Sequence, residues 1–147
     1  MSSSGKDVEA IPKTAELRDL TKKCWPEIFV FFHSLRPEHP STIALFDCTP
    51  GFSPIVSDVL SPGEYSKVSY KDKPKLISKY KTSGLVYFPN ESSIGKSPTI
   101  LIPLHIDGTA WIDGKAVEAD CYYHVFSPST IIVSESGKLA AVVIIYG

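Results

Sequence analysis

The sequence predicts an all-β fold, a small antiparallel barrel or sandwich preceded by one amphipathic helix, and three observations carry that prediction. Isoleucine and valine together number 25 against 10 leucines, and branching at Cβ suits a pleated strand better than a helix. Proline occurs 12 times in 147 residues, above the usual ~5%, and each proline removes a backbone donor that a long helix or a central strand would need. Beyond position 42 the chain is a succession of short apolar runs separated by turn residues, the spacing of strands in a closed or two-layered β fold.

The length suits one domain, with residues 1–13 expected as a polar, flexible leader and 14–147 as the folded body. The helix begins at Thr14, a residue able to cap it. Leu17, Leu20 and Cys24 then recur on one face, with Glu16 and Asp19 early and Lys22 and Lys23 late. Pro26 is expected to stop it. The run 28–32 (Ile-Phe-Val-Phe-Phe) has strand length, although periodicity alone leaves a continued helix open. Residues 33–41, with Pro37 and Pro40, read as a loop. Strand-like runs follow at 43–46, 55–60 (after Pro50-Gly51), 65–70 (after a Ser61-Pro62-Gly63-Glu64 turn) and 85–88. Further runs occupy 99–106, 109–112, 116–117, 122–126, 130–133 and 139–146. The last, Leu-Ala-Ala-Val-Val-Ile-Ile-Tyr, is apolar on both faces and reads as a central strand covered on both sides, with the N-terminal helix as one cover.

Charge and cysteine content exclude several classes of function. Fifteen Lys and Arg against 16 Asp and Glu leave a net charge of −1, unlike the strongly basic surface of a dedicated nucleic-acid binder. Cys24, Cys48 and Cys121 are odd in number and widely spaced, which fits neither a disulfide framework nor a zinc site. The opening residues lack the apolar core of a secretory signal, and no run approaches the ~20 residues of a membrane span. A cytoplasmic protein without membrane or nucleic-acid partners is the expectation.

The segment Asp107-Gly108-Thr109-Ala110-Trp111-Ile112-Asp113-Gly114-Lys115 contains tight Asp-Gly turns. An acidic turn at Glu118-Ala119-Asp120 follows, then an aromatic strand to Phe126 and a Ser127-Pro128-Ser129-Thr130 turn. This grammar resembles the second half of a cupin domain, and its phrasing is especially similar to the cupin fold of sugar-phosphate isomerases such as mannose-6-phosphate isomerase. Val59-Leu60-Ser61-Pro62-Gly63-Glu64-Tyr65 resembles the opening strand of the same fold, so the likeness spans roughly residues 55–146. It implies a cupin-like antiparallel β-barrel, a jelly roll, and a homodimer. Metal-binding cupins carry a His-x-His pair, a downstream Glu and a further His after the proline turn. Here no His-x-His occurs, and Ser129, Thr130, Ile131 and Ile132 follow Pro128. Neither a metal nor another cofactor is therefore expected.

Within that frame His105, His124 and Tyr123 are the candidate catalytic groups. Histidine titrates near neutrality, and a His/Tyr set facing one cavity could serve as base and acid in proton transfer. Alternation places His124 with Tyr122 and Phe126, with Tyr123 on the opposite face, and His105 with Leu101, Pro103 and Asp107. Each histidine also reads as an ordinary strand residue. Tyr87, Trp111 and Lys67 are the candidate ligand contacts, although Trp111 reads equally as hairpin packing and Lys67 as part of a solvated, lysine-rich edge. His33 and His39 fit no ligand-pair spacing. Gly95-Lys96-Ser97 matches the tail of a phosphate loop by chance, since Asn90 stands where its first glycine belongs. Three functions follow as expectations. The first is a metal-free module that binds a small molecule, such as a sugar or sugar phosphate, or serves as a scaffold. The second is a metal-independent isomerase or epimerase, and the third a jelly-roll assembly subunit.

Overall fold

The computed structural model describes residues 7–37 and 42–146. Its elements in chain order are β1 (Val8–Pro12), α1 (Ala15–Ser34), β2 (Ile43–Phe46), α2 (Phe52–Val59), α3 (Pro62–Tyr65), β3 (Tyr80–Tyr87), β4 (Asn90–Ile94), β5 (Thr99–Asp107), β6 (Ala110–Ile112), β7 (Lys115–Ala116), β8 (Cys121–Val125), β9 (Ser129–Val133) and β10 (Lys138–Tyr146). Two antiparallel sheets face one another. The larger has the order β1-β8-β5-β10-β3-β2 and the smaller β4-β9-β6-β7. Strands 3 to 10 pass back and forth between the two sheets, a cupin-like jelly roll.

Alternation along the strands divides the interior into two cores. Leu85, Leu101, Ile112, Val125, Ile131, Leu139, Ala141 and Val143 fill the space between the sheets. Ile100, Ile102, Ala140, Val142 and Ile144 point to the outer face of the large sheet. There Leu17, Cys24, Ile28 and Phe32 of α1 and Phe52, Ile55 and Val59 of α2 cover them. Strand β10 lies between β5 and β3 and is buried on both faces, which is why its sequence shows no polar alternation. The hairpin β6–β7 turns on Asp113 (φ 47°) and Gly114 (φ 82°), the two positive φ values that a two-residue loop of this hand requires.

Several expectations change. Within the leader, Val8–Pro12 is strand β1, paired with β8 from Val8 opposite Val125 to Pro12 opposite Cys121. Val8 and Ile11 supply the apolar surface that holds it there; residues 1–6 lie outside the described residues. Helix α1 does not stop at Pro26 but continues to Ser34, so 28–32 is not a strand. A proline inside a helix costs ~3 kcal/mol, but the stripe Leu17, Thr21, Cys24, Ile28, Phe32 stays buried through that position. Burying Ile28 and Phe32 alone contributes a comparable amount, at ~1.5–3 kcal/mol each.

The run 55–60 is helix α2, because Phe52, Ile55, Val56 and Val59 fall at helical spacing and all are buried. The expected turn at 61–64 is instead the single helical turn α3. Ser61 caps it by accepting from the Glu64 N–H, Pro62 opens it, and 66–70 continues without a strand.

Candidate functional site

The three candidate catalytic residues do not face one cavity. Tyr123 points between the sheets. Its hydroxyl accepts from the Glu118 N–H at 2.7 Å and donates to the Ala116 carbonyl at 3.2 Å, tying β8 to the β7 connection. Burial pushes that phenol up to about 12. His124 lies on the other face of the same strand, 0% exposed, among the rings of Tyr65, Tyr122 and Phe126. Neither of its ring nitrogens has a hydrogen-bond partner among the described residues, and burial depresses its pKa to about 4. It is a neutral core ring at physiological pH.

His105 is also on the helix side, contrary to simple alternation from Leu101. The register of β5 against β10 slips between Ala140, opposite His105, and Ala141, opposite Pro103. Leu104 is thus an extra residue, a bulge that accommodates a proline in a central strand and turns the side chains beyond it over. His105 stacks on Trp25 at 4.0 Å, meets Phe32 edge-on and contacts Asp107 at 3.0 Å. The large sheet therefore separates Tyr123 from both histidines, which removes an acid–base set made of these three residues.

The candidate ligand contacts also disperse. Lys67 follows α3 and pairs with Glu64 at 2.5 Å. Trp111 is half-buried on β6, whose neighbours Ala110 and Ile112 are the residues that enter the core between the sheets. Opposite Trp111 on β9 stands the exposed Ile132, so Trp111 covers the outer face of the small sheet. His33 lies in the last turn of α1 against Phe29, and His39 lies outside the described residues.

Tyr87 differs from the others because it stands at an opening. Where β3 and β10 of the large sheet diverge from β4 of the small one, a cleft of about 430 Å³ enters the space between the sheets. Its walls are Ile43, Leu85, Ile94 and Val143, with Tyr87, Thr99 and Lys96 as polar groups. The Tyr87 ring is buried, which raises its phenol pKa well above the usual range. Its hydroxyl forms no hydrogen bond among the described residues. Thr99 is held in place by donating to the Ser97 carbonyl at 2.7 Å. Lys96 is exposed at the rim and joins no ion pair among those residues. The rim takes this shape because Gly95 adopts φ 84°, bringing its backbone so close to β8 and β9 that a Cβ would lie 2.4 Å from the Ser127 carbonyl. Sequence reasoning identified Tyr87 but missed Lys96 and Thr99. The Gly-Lys-Ser tripeptide that drew notice as a chance phosphate-loop match forms this rim, with a strand on each side and no helix.

The space between the sheets is filled by Leu101, Val125, Ile131 and their aliphatic neighbours. Among the described residues no group of three or more His, Cys, Asp or Glu comes together to hold a metal ion. The donors present do not fit such a centre. No helix among these residues is long and apolar enough to cross a membrane.

No family model and no curated protein sequence matches the chain. Among solved structures it is similar to a Pseudomonas putida prolyl-4-hydroxylase, with a TM-score of 0.58 and 14% sequence identity, covering 95% of this chain and 92% of that one. At that identity the likeness is one of fold, and it agrees with the two-sheet jelly roll described above.

Proposed function

We propose that the protein is a binding module that takes a small, largely apolar molecule into the cleft between β3, β4 and β10. The observation that carries this reading is Tyr87, a buried ring lining an apolar opening, whose hydroxyl forms no hydrogen bond among the described residues. A cleft of about 430 Å³ lies within the ~300–1,000 Å³ of small-molecule sites, which are lined by apolar side chains with a few polar groups fixing orientation. Ile43, Leu85, Ile94 and Val143 suit a hydrocarbon or aromatic body better than a polyhydroxylated sugar. The Tyr87 hydroxyl suits one hydrogen-bonding substituent, and Lys96 an acidic group at the rim.

Aliphatic side chains dominate the space deeper between the sheets, and binding rather than turnover is the function proposed. The test is fluorescence titration with 1-anilinonaphthalene-8-sulfonate, an apolar anion, followed by displacement with aromatic and medium-chain carboxylic acids. Saturable binding that Ile43→Trp blocks and Tyr87→Phe weakens several-fold is the expected result. Dye binding unchanged in Ile43→Trp refutes the assignment.

A further inference from the structure

A second cavity, sharing no residue with the cleft, opens on the helix side of the large sheet, and at its wall the protein buries a lysine. Lys13 joins β1 to the Thr14 cap of α1 and is 5% exposed. Its ammonium donates to the Pro103 carbonyl at 2.7 Å and to Thr21 Oγ1 at 3.4 Å. The first acceptor sits at the bulge in β5, and the second is oriented by its own donation to the Arg18 carbonyl at 2.9 Å. Neither acceptor carries a charge, and no carboxylate forms an ion pair with Lys13 among the described residues. An ammonium has three donors, so one remains uncommitted. Burying an ammonium without a counter-charge is expensive, and burial holds the Lys13 pKa down to about 8 against partial compensation from Asp120.

Around the cavity basic side chains outnumber acidic ones. The cavity, of about 430 Å³, is lined by Lys13, Arg18, Lys22 and His105, with Asp120 as its only acid among the described residues. Arg18 and Lys22 are exposed and stand four residues apart on α1, a like-charge spacing that disfavours the helix. Asp19, the neighbouring acid on the helix, is engaged elsewhere, with Lys23 at 3.1 Å. His105 turns toward Asp107. Leu104 and Ile106 supply an apolar wall.

From this geometry we infer a binding site for a phosphomonoester, its phosphoryl group held by Lys13, Arg18 and Lys22 and its organic part lying against Leu104 and Ile106. A dianion with several acceptor oxygens meets three cations from two directions and takes the uncommitted Lys13 donor. The cavity is larger than a bare phosphate needs, which assigns the remainder to an organic substituent.

The test is isothermal titration of the full chain at constant ionic strength with phenyl phosphate, inorganic phosphate and sulfate. Phenyl phosphate is expected to bind with 1:1 stoichiometry and more tightly than inorganic phosphate. Arg18→Gln and Lys22→Gln, both on the exposed helix surface, should each weaken it by about tenfold, the loss of one charge-assisted hydrogen bond. Lys13→Met should weaken it at least as much, and Lys96→Gln in the other cleft should leave it unchanged. The inference is overturned by no saturation up to about 10 mM phenyl phosphate, about four decades weaker than a micromolar site. Binding that sulfate matches, or that survives Arg18→Gln and Lys22→Gln together, overturns it equally. Because the 1-anilinonaphthalene-8-sulfonate site is read separately, failure here and failure of the cleft assignment are distinguishable.

Discussion

Lowering the pH from 7 to 4 should destabilise this protein through His124, and removing that ring should remove the effect. The imidazole is fully buried beneath Tyr65 and between Tyr122 and Phe126, with neither nitrogen bonded among the described residues. Burial lowers its pKa from 6.5 to about 4. Glu9, directly across the β1–β8 pair, pulls it back up, and Lys73 pushes it further down. Glu9 is itself engaged by the Ser69 and Tyr70 N–H groups at 2.9–3.1 Å, and Lys73 by the Tyr65 and Val68 carbonyls.

The sign follows from proton linkage. Between pH 6.5 and about 4 the unfolded chain binds a proton that the folded one refuses, so stability is complete above 6.5 and falls as pH drops through that window. At ~1.4 kcal/mol per pH unit the interval corresponds to about 3 kcal/mol. With a urea m-value of ~2 kcal/mol/M for a small domain, the unfolding midpoint should fall by about 1.5 M.

Urea unfolding at pH 7.0, 6.0, 5.0 and 4.5, wild type against His124→Phe and His124→Leu, isolates the term. Asp58, whose carboxyl is raised by burial and therefore acts with opposite sign, is common to all three proteins and cancels. At pH 7 the variants should lie within about 1.5 kcal/mol of wild type, since an apolar ring or isobutyl group replaces a polar group that had no partner. By pH 4.5 the variants should be the more stable. Parallel pH profiles for wild type and variants would refute the reasoning.

Further expectations concern single contacts. Tyr122→Phe removes the hydroxyl that donates to buried Glu64 Oε1 at 2.9 Å, and should cost about 2 kcal/mol in urea unfolding, because a carboxylate oxygen is left unpaired. Gly95→Ala forces a Cβ to within 2.4 Å of the Ser127 carbonyl at φ 84°. It should lower stability by ~2 kcal/mol or more and reduce dye binding in the cleft that Gly95 shapes. Thr14→Ala deletes the side chain that accepts from the Leu17 N–H at 3.1 Å and should cost about 1 kcal/mol. In thiol labelling at pH 8, Cys48, which is exposed, should react at once. Cys24, buried and with its thiol pushed up to about 11, should react only on unfolding.

How much of this was legible in the sequence depends on how local the physics is. Most strands from Leu85 onward were readable because their turns are chemical: Asp113-Gly114 and Pro89-Asn90 fix positive φ values and chain reversals from two residues each, whereas the first half of β3 and the polar strand β4 carry no apolar run to mark them. Where β-branched content and helical spacing pointed in different directions, composition misled. Ile55, Val56 and Val59 resemble a strand by residue type, but their burial follows the 3.6-residue period, and only the large sheet beneath them decides the matter. Pro26 misled for the same reason, since the stability that overrides it comes from contacts with residues a hundred positions away.

The site was least legible, and the cause is specific. Which face a strand residue presents is a parity, and one inserted residue inverts it. Leu104 is that residue, and it reverses His105 relative to Leu101. The same bulge sits beside the Pro103 carbonyl that receives Lys13, 90 positions away in sequence. A proline in a central strand was therefore the informative signal: it demands an irregularity, and the stranding of His105 on the helix side follows from where that irregularity falls. Lys13 itself looked like one more polar residue at the end of a leader. Its burial is decided by β1 pairing with β8 and α1 lying across β5, two long-range events that no local pattern around Pro12 and Thr14 encodes.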